Sequence, residues 1–265
     1  MRLLLNLEID GNKRVLPFNY QYPLSAWIYK TIHLGNHEFA TFLHHKGFIT
    51  GEKSYKFFTF SNLLIPAKGF KVVENAMQFL CDQIGLELSF LVPDASQHFI
   101  AGIFKNQHFS IGDKQNQVSF AVRSVEALPF PGCSGKCRYS ALAPIIVSRY
   151  DESRKHAEYI KPGHSDYERI FFDNLVRKYA AALSAGLIEN SGLLNSEAQT
   201  MQFRYSEPVK QKGVIIKTGT AMQTQIIGYM YNFELQAPAE LIRIGYLAGF
   251  GEKNSLGMGC VRAIY

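Results

Sequence analysis

Four glycines fall within residues 249–259, near the end of this chain, in the sequence GFGEKNSLGMG. A regular helix or strand is not expected to run through such a stretch, because glycine weakens both elements and favours turns with positive φ. The stretch must be a loop whose backbone is approached closely, either by a ligand phosphate or by the chain's own atoms. The residues alone favour a structural turn and a phosphate contact equally.

The same stretch lacks the features of the common nucleotide-binding loops. No Gly-Lys-Ser/Thr triplet closes it, and it follows a helical segment and precedes a strand, which is the reverse of a dinucleotide-binding turn. It offers backbone N–H groups beside Lys253, Asn254 and Ser255. That combination suits a phosphodiester backbone that comes close to the loop.

The composition is that of a globular, basic protein. The chain has 265 residues, of which 47% are hydrophobic, and a formal net charge of +6. That length suits one large domain or two of roughly 100 to 150 residues, and the charge favours a polyanionic partner. The N-terminus has too short an apolar run for a signal peptide, and no run approaches the roughly 20 residues of a membrane span. We therefore expect a cytoplasmic protein without a membrane partner.

The cysteines and carboxylates give little sign of a metal site. Cys133 and Cys137 are a single pair without a second pair or neighbouring histidines, which is a weak zinc signal. We expect free thiols in a reducing compartment. No paired carboxylates have a spacing typical of two-metal nucleases, so we predict no metal and no cofactor.

The first half of the chain alternates strands and helices. RLLLNLEI, YKFFTFSNLLI, LELSFLVP and QVSFAVRSVEAL predict strands, whereas LSAWIYKTI, HEFATFLHH and DASQHFIAGIFKNQ predict helices, the last with Asp94 as a possible N-cap. KVVENAMQFLCDQI suits either an amphipathic helix or two short strands. The resulting order of strand, helix, strands, helix and strand is the plan of a ferredoxin-like domain.

The plan begins again after the linker candidate PFPGCSGKC, residues 129–137. ALAPIIVSRY predicts a strand, and SDYERIFFDNLVRKYAAALSAG predicts a helix with a Ser165–Glu168 capping box and an end at Gly186. Three strands, the helix APAELIRIGYLAG and the terminal strand GCVRAIY follow. We therefore predict an α+β fold of two tandem ferredoxin-like (RRM-like) domains, residues 1–128 and 129–265.

Several stretches resemble one family of proteins. GYLAGFGEKNSLGMGCV resembles the C-terminal glycine-rich signature of the repeat-associated RNA-binding superfamily, and more narrowly of the Cas6 family of CRISPR-associated endoribonucleases. PFNYQYPLSAWIYKTI, FATFLHHKGF and YKFFTFSNL resemble the family's N-terminal region. Between residues 60 and 235 the resemblance rests on the strand–helix plan and on ALAPIIVSR.

The resemblance implies tandem ferredoxin-like domains and metal-independent cleavage of precursor CRISPR RNA within its repeats. The ribose 2′-OH attacks the adjacent phosphate and leaves a 2′,3′-cyclic phosphate and a 5′-OH end. Such a reaction needs a proton acceptor, a proton donor and positive charge near the phosphorane. The implied partners are CRISPR repeat RNA and other CRISPR effector subunits, and the expected state is a monomer or a homodimer.

Three positions match the family's catalytic residues: Tyr29 in SAWIYKTI, His44 in FLHHKGF and Lys56 in YKFFTFS. The resemblance implies proton transfer or positioning by Tyr29 and His44, with the roles of base and acid left open, and charge stabilisation by Lys56. His45 is the second choice for the histidine, because it would point about 100° away from His44 on a helix. Lys46 and Lys53 are close enough in sequence to be confused with Lys56.

Two regions are predicted to bind RNA. The first is the glycine stretch, through Gly249, Gly251, Lys253, Asn254, Ser255, Gly257 and Gly259. The second is VKQKGVIIKTG, which we interpret as a basic hairpin with Lys210, Lys212 and Lys217 on or beside a turn at Gly213; a merely solvated hairpin is an equal alternative. Two other functions remain open: a non-catalytic RNA-binding subunit of an effector complex, and a metabolic enzyme that binds a mononucleotide.

Overall fold

The computed structural model describes residues 1–132, 135–151, 156–190, 201–216, 218 and 221–264 of the chain. The helices are α1 (Gln21–Gly35), α2 (His37–His45), α3 (Pro93–Lys105), α4 (Tyr167–Ser184) and α5 (Ala239–Ala248). The strands up to residue 128 are β1 (Arg2–Asp10), β2 (Val15–Pro17), β3 (Phe48–Thr50), β4 (Lys53–Tyr55), β5 (Phe58–Phe60), β6 (Phe70–Val73), β7 (Ala76–Phe79), β8 (Gln83–Phe90), β9 (His108–Gly112) and β10 (Gln117–Leu128). The later strands are β11 (Lys136–Ala141), β12 (Ser148–Asp151), β13 (His156–Tyr159), β14 (Gln202–Ile216), β15 (Thr224–Gln236) and β16 (Val261–Ile264).

Two antiparallel sheets carry the architecture, and each has the ferredoxin-like strand order. The first sheet runs β5-β8-β1-β10, with β9 added at its edge, and the second runs β14-β15-β11-β16. If the four main strands of each half are numbered along the chain, both orders are 2-3-1-4. Helices follow the first and the third of these strands: α1 and α2, then α3, in the first half, and α4, then α5, in the second. The predicted α+β fold of tandem ferredoxin-like units is confirmed. The domain limits 1–128 and 129–265 stay a prediction.

The local sequence explains the main elements of the first half. Alternate residues of β1, namely Leu3, Leu5 and Leu7, are buried in the core, as expected for a strand with one covered face. On α1 the predicted apolar face, which includes Leu24 and Ile28, is buried as well. The helix therefore packs on the sheet with its opposite face free for other contacts.

Several local predictions were wrong or incomplete. YKFFTFSNLLI is not one strand, because Phe57 adopts a positive φ of 52° and separates β4 from β5. The ambiguous segment after residue 70 forms the two short strands β6 and β7 rather than a helix. Asp94 lies in the first turn of α3 and is not its N-cap, since the helix already begins at Pro93.

The second half differs from prediction in three places. α4 begins at Tyr167 without a side-chain cap, and Glu168 accepts a hydrogen bond from the Phe203 backbone N–H at 3.0 Å, so it holds β14 instead of completing a capping box. In ALAPIIVSRY, residues 142–147 lie between β11 and β12 and outside either strand. Gly213 lies inside β14, paired with Ile227, and not at a turn.

Two further observations concern the cysteines and the helices. Cys81 and Cys260 are free thiols, as expected, whereas Cys137 is disulfide-bonded, which corrects the expectation for that residue. None of the helices in the described part of the chain is long and apolar enough to cross a membrane.

A buried ion network joins the two halves. Arg2 on β1 is 1% exposed, and its Nε donates to Glu87 Oε2 at 2.8 Å. The same guanidinium donates to the Val261 carbonyl and lies 4.4 Å from the centre of the Tyr246 ring. Arg262 on β16 donates from Nε to the other Glu87 oxygen at 3.0 Å. Glu87 thus pairs with an arginine from each half, which fixes the start of β1 against β16.

We expect Glu87→Gln to destabilise the protein strongly, because it leaves the Arg2 guanidinium buried without a counter-charge. Breaking a buried pair from one side costs about 3–5 kcal/mol of unfolding free energy. Glu8→Gln on the neighbouring strand β1 is the matched control, since Glu8 pairs with Arg123 at the surface, and it should cost less than about 1 kcal/mol. Urea unfolding measures both, and equal losses would contradict the role assigned to the Glu87 network.

Candidate functional site

Tyr29 and His44 meet where α1 and α2 pack side by side. Asn36 lies between the helices and caps α2, its Oδ1 accepting from the Phe39 N–H at 3.0 Å. This arrangement places the His44 ring edge-on to the Tyr29 ring, with centroids 5.2 Å apart. The Tyr29 ring also packs against Phe58 of β5 at 5.3 Å. Tyr29 is therefore held by the core, whereas His44 stands exposed at the end of α2.

Lys56 is the third predicted catalytic residue, and it lies beside the other two. Its Nζ donates to the His44 carbonyl oxygen at 3.0 Å. The lysine stem passes over Gly47, where a Cβ would lie 2.9 Å from Lys56 Cδ. Burial lowers the pKa of Lys56 below its usual value. The structure thus brings Tyr29, His44 and Lys56 together, although they come from different elements.

The surroundings of Tyr29 determine which protonation state it has. Burial raises the pKa of Tyr29 to about 12, and a hydrogen bond with the Ser255 side chain opposes this only in part. The phenol therefore keeps its proton through the neutral range. It can donate a hydrogen bond, but it cannot serve as a proton acceptor there.

His45 occupies a different position from His44. The two imidazole rings are 4.9 Å apart and almost perpendicular, and both residues are exposed. His44 packs against Tyr29, and its carbonyl accepts from Lys56. His45 is thus a natural control for any test of His44.

The residues 249–259, called the glycine loop from here on, owe their four glycines to the fold itself. Gly249, Gly251, Gly257 and Gly259 are all buried and all have positive φ. A Cβ on Gly251 would lie 2.2 Å from the Ile146 carbonyl oxygen, and one on Gly257 would lie 2.3 Å from the Phe60 ring. The atoms that come close to this backbone are the protein's own.

Part of the glycine loop is hydrogen-bonded within the protein. The N–H groups of Phe250 and Glu252 donate to the carbonyls of Gly259 and Ile146, each at 2.9 Å. The Asn254 amide donates to the carbonyls of Phe250 and Met258 at 3.1 and 3.0 Å, so this side chain braces the loop from within. The four glycines and Asn254 therefore shape the loop, and its outer surface is limited to residues 252–256.

The glycine loop is fastened to the first half of the chain. Ser25 of α1 donates to the Ser255 carbonyl at 2.6 Å, and Thr59 of β5 donates to the Met258 carbonyl at 2.8 Å. Because Tyr29 lies one helical turn after Ser25, these bonds set the loop directly against the Tyr29–His44–Lys56 group.

Lys178 of α4 is the most important residue that the sequence reasoning missed. It is 1% exposed, and its Nζ donates to the carbonyls of Gly249 and Gly251 at 2.6 and 2.7 Å. Burial lowers its pKa to about 7, although Glu252 opposes this shift. The helical spacing could have revealed it, because Lys178 and Asn174 fall on the same face as the buried Phe171 and Leu175.

A cavity of about 320 Å³ opens beside this site. Its walls come from the β4 region, from α4 and from the glycine loop. The lining residues are Lys53, Ser54, Tyr55, Lys56, Phe57, Asn174, Lys178, Ala248, Gly251, Glu252, Lys253, Asn254, Ser255 and Leu256. Five of the predicted residues line this cavity, namely Lys56, Gly251, Lys253, Asn254 and Ser255, whereas Tyr29 and His44 are not among its lining residues.

The predicted basic hairpin is only partly where it was expected. Lys210 and Lys212 are exposed on β14, at the edge of the second sheet, and neither lines the cavity. Lys217 lies outside the described residues. No group of three histidine, cysteine, aspartate or glutamate side chains within the described ranges could hold a metal ion.

Two ferredoxin-like folds, joined through a glycine loop set against a Tyr–His–Lys group, define a protein of the repeat-associated RNA-binding class. The family description "CRISPR-associated protein Cas6, N-terminal" matches residues 15–126, and "CRISPR associated protein Cas6, C-terminal" matches residues 131–263. The chain belongs to the Cas6 family.

Individual relatives agree over nearly the whole length. The chain is 27% identical to the CRISPR-associated endoribonuclease Cas6 1 of Methanocaldococcus jannaschii, over 98% of this chain and 92% of the relative. It is 25% identical to the CRISPR-associated endoribonuclease Cas6 of Pyrococcus furiosus, over 99% and 89%. A solved structure of a Cas6-related gene product from Pyrococcus furiosus shares the fold with a TM-score of 0.80, at 23% identity and with 100% and 98% of the two chains covered.

We expect Gly257→Ala to be far more harmful than Gly11→Ala. Both glycines have nearly the same φ, 78° and 79°, but only at Gly257 would a Cβ clash, whereas nothing lies within 4 Å at Gly11. The shared conformational strain costs about 1–2 kcal/mol, and the clash should add about 1–3 kcal/mol. Urea unfolding of both variants measures the difference. Equal costs would show that Phe60 does not constrain the loop.

The buried Lys178 predicts a pH-dependent stability. Its folded pKa of about 7 lies below the usual lysine pKa of 10.5, so above pH 7 the unfolded chain holds a proton that the folded chain has released. Wild-type stability relative to Lys178→Met should therefore rise with pH between about 7 and 10, by up to about 1.4 kcal/mol per unit. Unfolding of both proteins across this range tests the prediction, and a pH-independent difference would contradict it.

Proposed function

We propose that this protein is an endoribonuclease that cuts precursor CRISPR RNA within its repeats. The observation that carries the proposal is the contact group of Tyr29, His44 and Lys56 against the glycine loop. The names of the relatives from Methanocaldococcus jannaschii and Pyrococcus furiosus support it, since both are CRISPR-associated endoribonucleases. The net charge of +6 also suits an RNA partner.

The proposed chemistry needs no metal ion. The His44 imidazole takes the proton from the ribose 2′-OH, because imidazole exchanges protons near neutral pH. The freed 2′-oxygen attacks the adjacent phosphorus, and the bond to the 5′-oxygen breaks. The products are a 2′,3′-cyclic phosphate and a 5′-OH end.

Tyr29 and Lys56 supply the remaining groups in this proposal. Because the phenol of Tyr29 stays protonated, it donates a hydrogen bond to the phosphorane and cannot compete with His44 as the base. The Lys56 ammonium balances the added negative charge. Burial makes Lys56 a stronger acid than usual, so it also protonates the leaving 5′-oxygen.

RNA contacts beyond the scissile phosphate are assigned to the outer part of the glycine loop and to the edge of the second sheet. Lys253 and Ser255 face the cavity, and Lys210 and Lys212 are exposed along β14. Lys217 remains proposed from the sequence alone. The four glycines and Asn254 contribute by giving the loop its shape. We place the activity in the cytoplasm, as expected from the sequence.

We expect His44→Ala to slow the cleavage of an end-labelled repeat RNA by about 10²–10⁴-fold, because it removes the proton acceptor. His45→Ala, the matched change one residue away, should alter the rate by less than about threefold, since His45 takes no part in the proposed proton transfers. Single-turnover rates are measured in excess EDTA with each purified variant.

A repeat RNA that carries a 2′-deoxyribose at the cut site is the substrate control, and it should bind without being cut. If His44→Ala cuts as fast as the wild type, the catalytic assignment fails. If the wild-type protein binds the repeat RNA and never cuts it, the protein is a non-catalytic RNA-binding subunit instead.

A further inference from the structure

The cavity of about 320 Å³ beside the proposed catalytic group is lined by side chains that the proposed cleavage reaction does not use. It lies at the lower end of the roughly 300–1,000 Å³ range of ligand pockets. It is continuous with the proposed active site, because Lys56 and Ser255 belong to both. A group bound in it would therefore lie next to the scissile phosphate.

The cavity holds polar atoms that lack partners. Within the described part of the chain, four buried side-chain polar atoms have no hydrogen-bond partner, and two of them, Tyr55 OH and Asn174 Oδ1, belong to residues of this wall. Asn174 is only 7% exposed. A buried acceptor without a donor is unfavourable, so the amide of Asn174 is arranged for a donor that arrives with a ligand.

The charge around the cavity selects an anionic ligand. Of the described residues that line it, four are lysines and one, Glu252, is a carboxylate. Lys178 is committed to the loop carbonyls, and Lys53 lies 4.0 Å from Glu252. Lys56 keeps donor capacity beside its bond to the His44 carbonyl, and Lys253 is exposed. These two lysines of the cavity lining are therefore the ones that could hold a phosphate.

The remaining wall is aromatic. The rings of Tyr55 and Phe57 are nearly parallel, with an angle of 8° between their planes and centroids 5.8 Å apart. Flat aromatic side chains beside a basic rim are the usual environment of an unstacked nucleobase. A lone phosphate or a metal ion would leave this wall and the Asn174 acceptor unused.

We propose that the cavity holds one nucleotide of the RNA substrate next to the cut. Its base lies along Tyr55 and Phe57 and donates an N–H to Asn174 Oδ1, while its phosphate faces Lys56 and Lys253. This inference rests on the proposed function, since it takes the repeat RNA as the source of the nucleotide. A free mononucleotide has the same chemistry and is separated from it by the test.

The test combines substrate and protein changes. The substrates are repeat RNAs with a 2′-deoxyribose at the cut site, so that they bind without being cut. Each RNA carries an abasic residue at one position near the cut, and its affinity is measured for every protein variant. The variants are Tyr55→Phe with Asn174→Ala, and Tyr55→Phe alone, which removes a single oxygen and keeps the packing. Tyr150→Phe is the matched control at an exposed tyrosine of β12.

We expect one abasic position to weaken wild-type binding by about tenfold, the loss expected for one or two hydrogen bonds and a stacked base. Because the ring at position 55 is kept, the same position should cost the double variant only the stacking part of this loss, and Tyr55→Phe alone an intermediate amount. The Tyr150→Phe control should behave like the wild type. If every abasic penalty is the same in the double variant as in the wild type, the inference is wrong.

Two further readouts separate this inference from the proposed function. In one case, the penalty at one abasic position falls in the double variant, although the wild-type protein cuts no repeat RNA. That result would support the nucleotide cavity and contradict the endoribonuclease activity. Equilibrium dialysis with AMP, CMP, GMP and UMP forms the second arm. Saturable binding of a free nucleotide that is lost in the double variant, with no coupled position in RNA, would overturn the assignment to RNA.

Discussion

The rest of the structure depends on the hydrogen bonds between the buried lysine of α4 and the glycine loop. Lys178 donates to the carbonyls of Gly249 and Gly251 from within the second half, and the outer part of the glycine loop is bound by Ser25 and Thr59 of the first half. A loop tied on both sides cannot shift without disturbing both sheets. The cavity takes its lining from the β4 region, from α4 and from the glycine loop, so it lies at the contact between the two ferredoxin-like units and neither unit forms it alone. The proposed catalytic group comes entirely from the first unit and lies beside this contact.

The degree of burial differs among the three proposed catalytic residues. Tyr29 is held in the core, so its phenol stays neutral and can only donate, whereas His44 stands exposed at the end of α2. Lys56 lies between these extremes, and the cost of burying its charge makes it a better acid. The same packing that positions the residues therefore supports the different roles proposed for them, which the residue types alone left open.

The sequence predicted the strongly periodic helices and the tandem ferredoxin-like fold, and the family pattern pointed to Tyr29, His44 and Lys56, which the structure brings together. It failed where tertiary contacts override local signals. Phe57 breaks an apparently continuous strand with a positive φ, and Glu168 leaves its expected cap to bind β14. The four glycines were predicted to contact RNA, because the sequence does not show their neighbours in the fold. Those neighbours, such as Phe60 and the Ile146 carbonyl, lie far away in sequence.

The central claim is that cleavage proceeds through the RNA's own 2′-OH at the Tyr29–His44–Lys56 group. Mass spectrometry of the two products of repeat RNA tests it most directly. The account predicts that the upstream fragment ends in a 2′,3′-cyclic phosphate, which is lighter than the linear phosphate by one water molecule, about 18 Da. The downstream fragment should begin with a 5′-OH. A 3′-OH upstream and a 5′-phosphate downstream would show that a water molecule attacks instead, and would contradict the account.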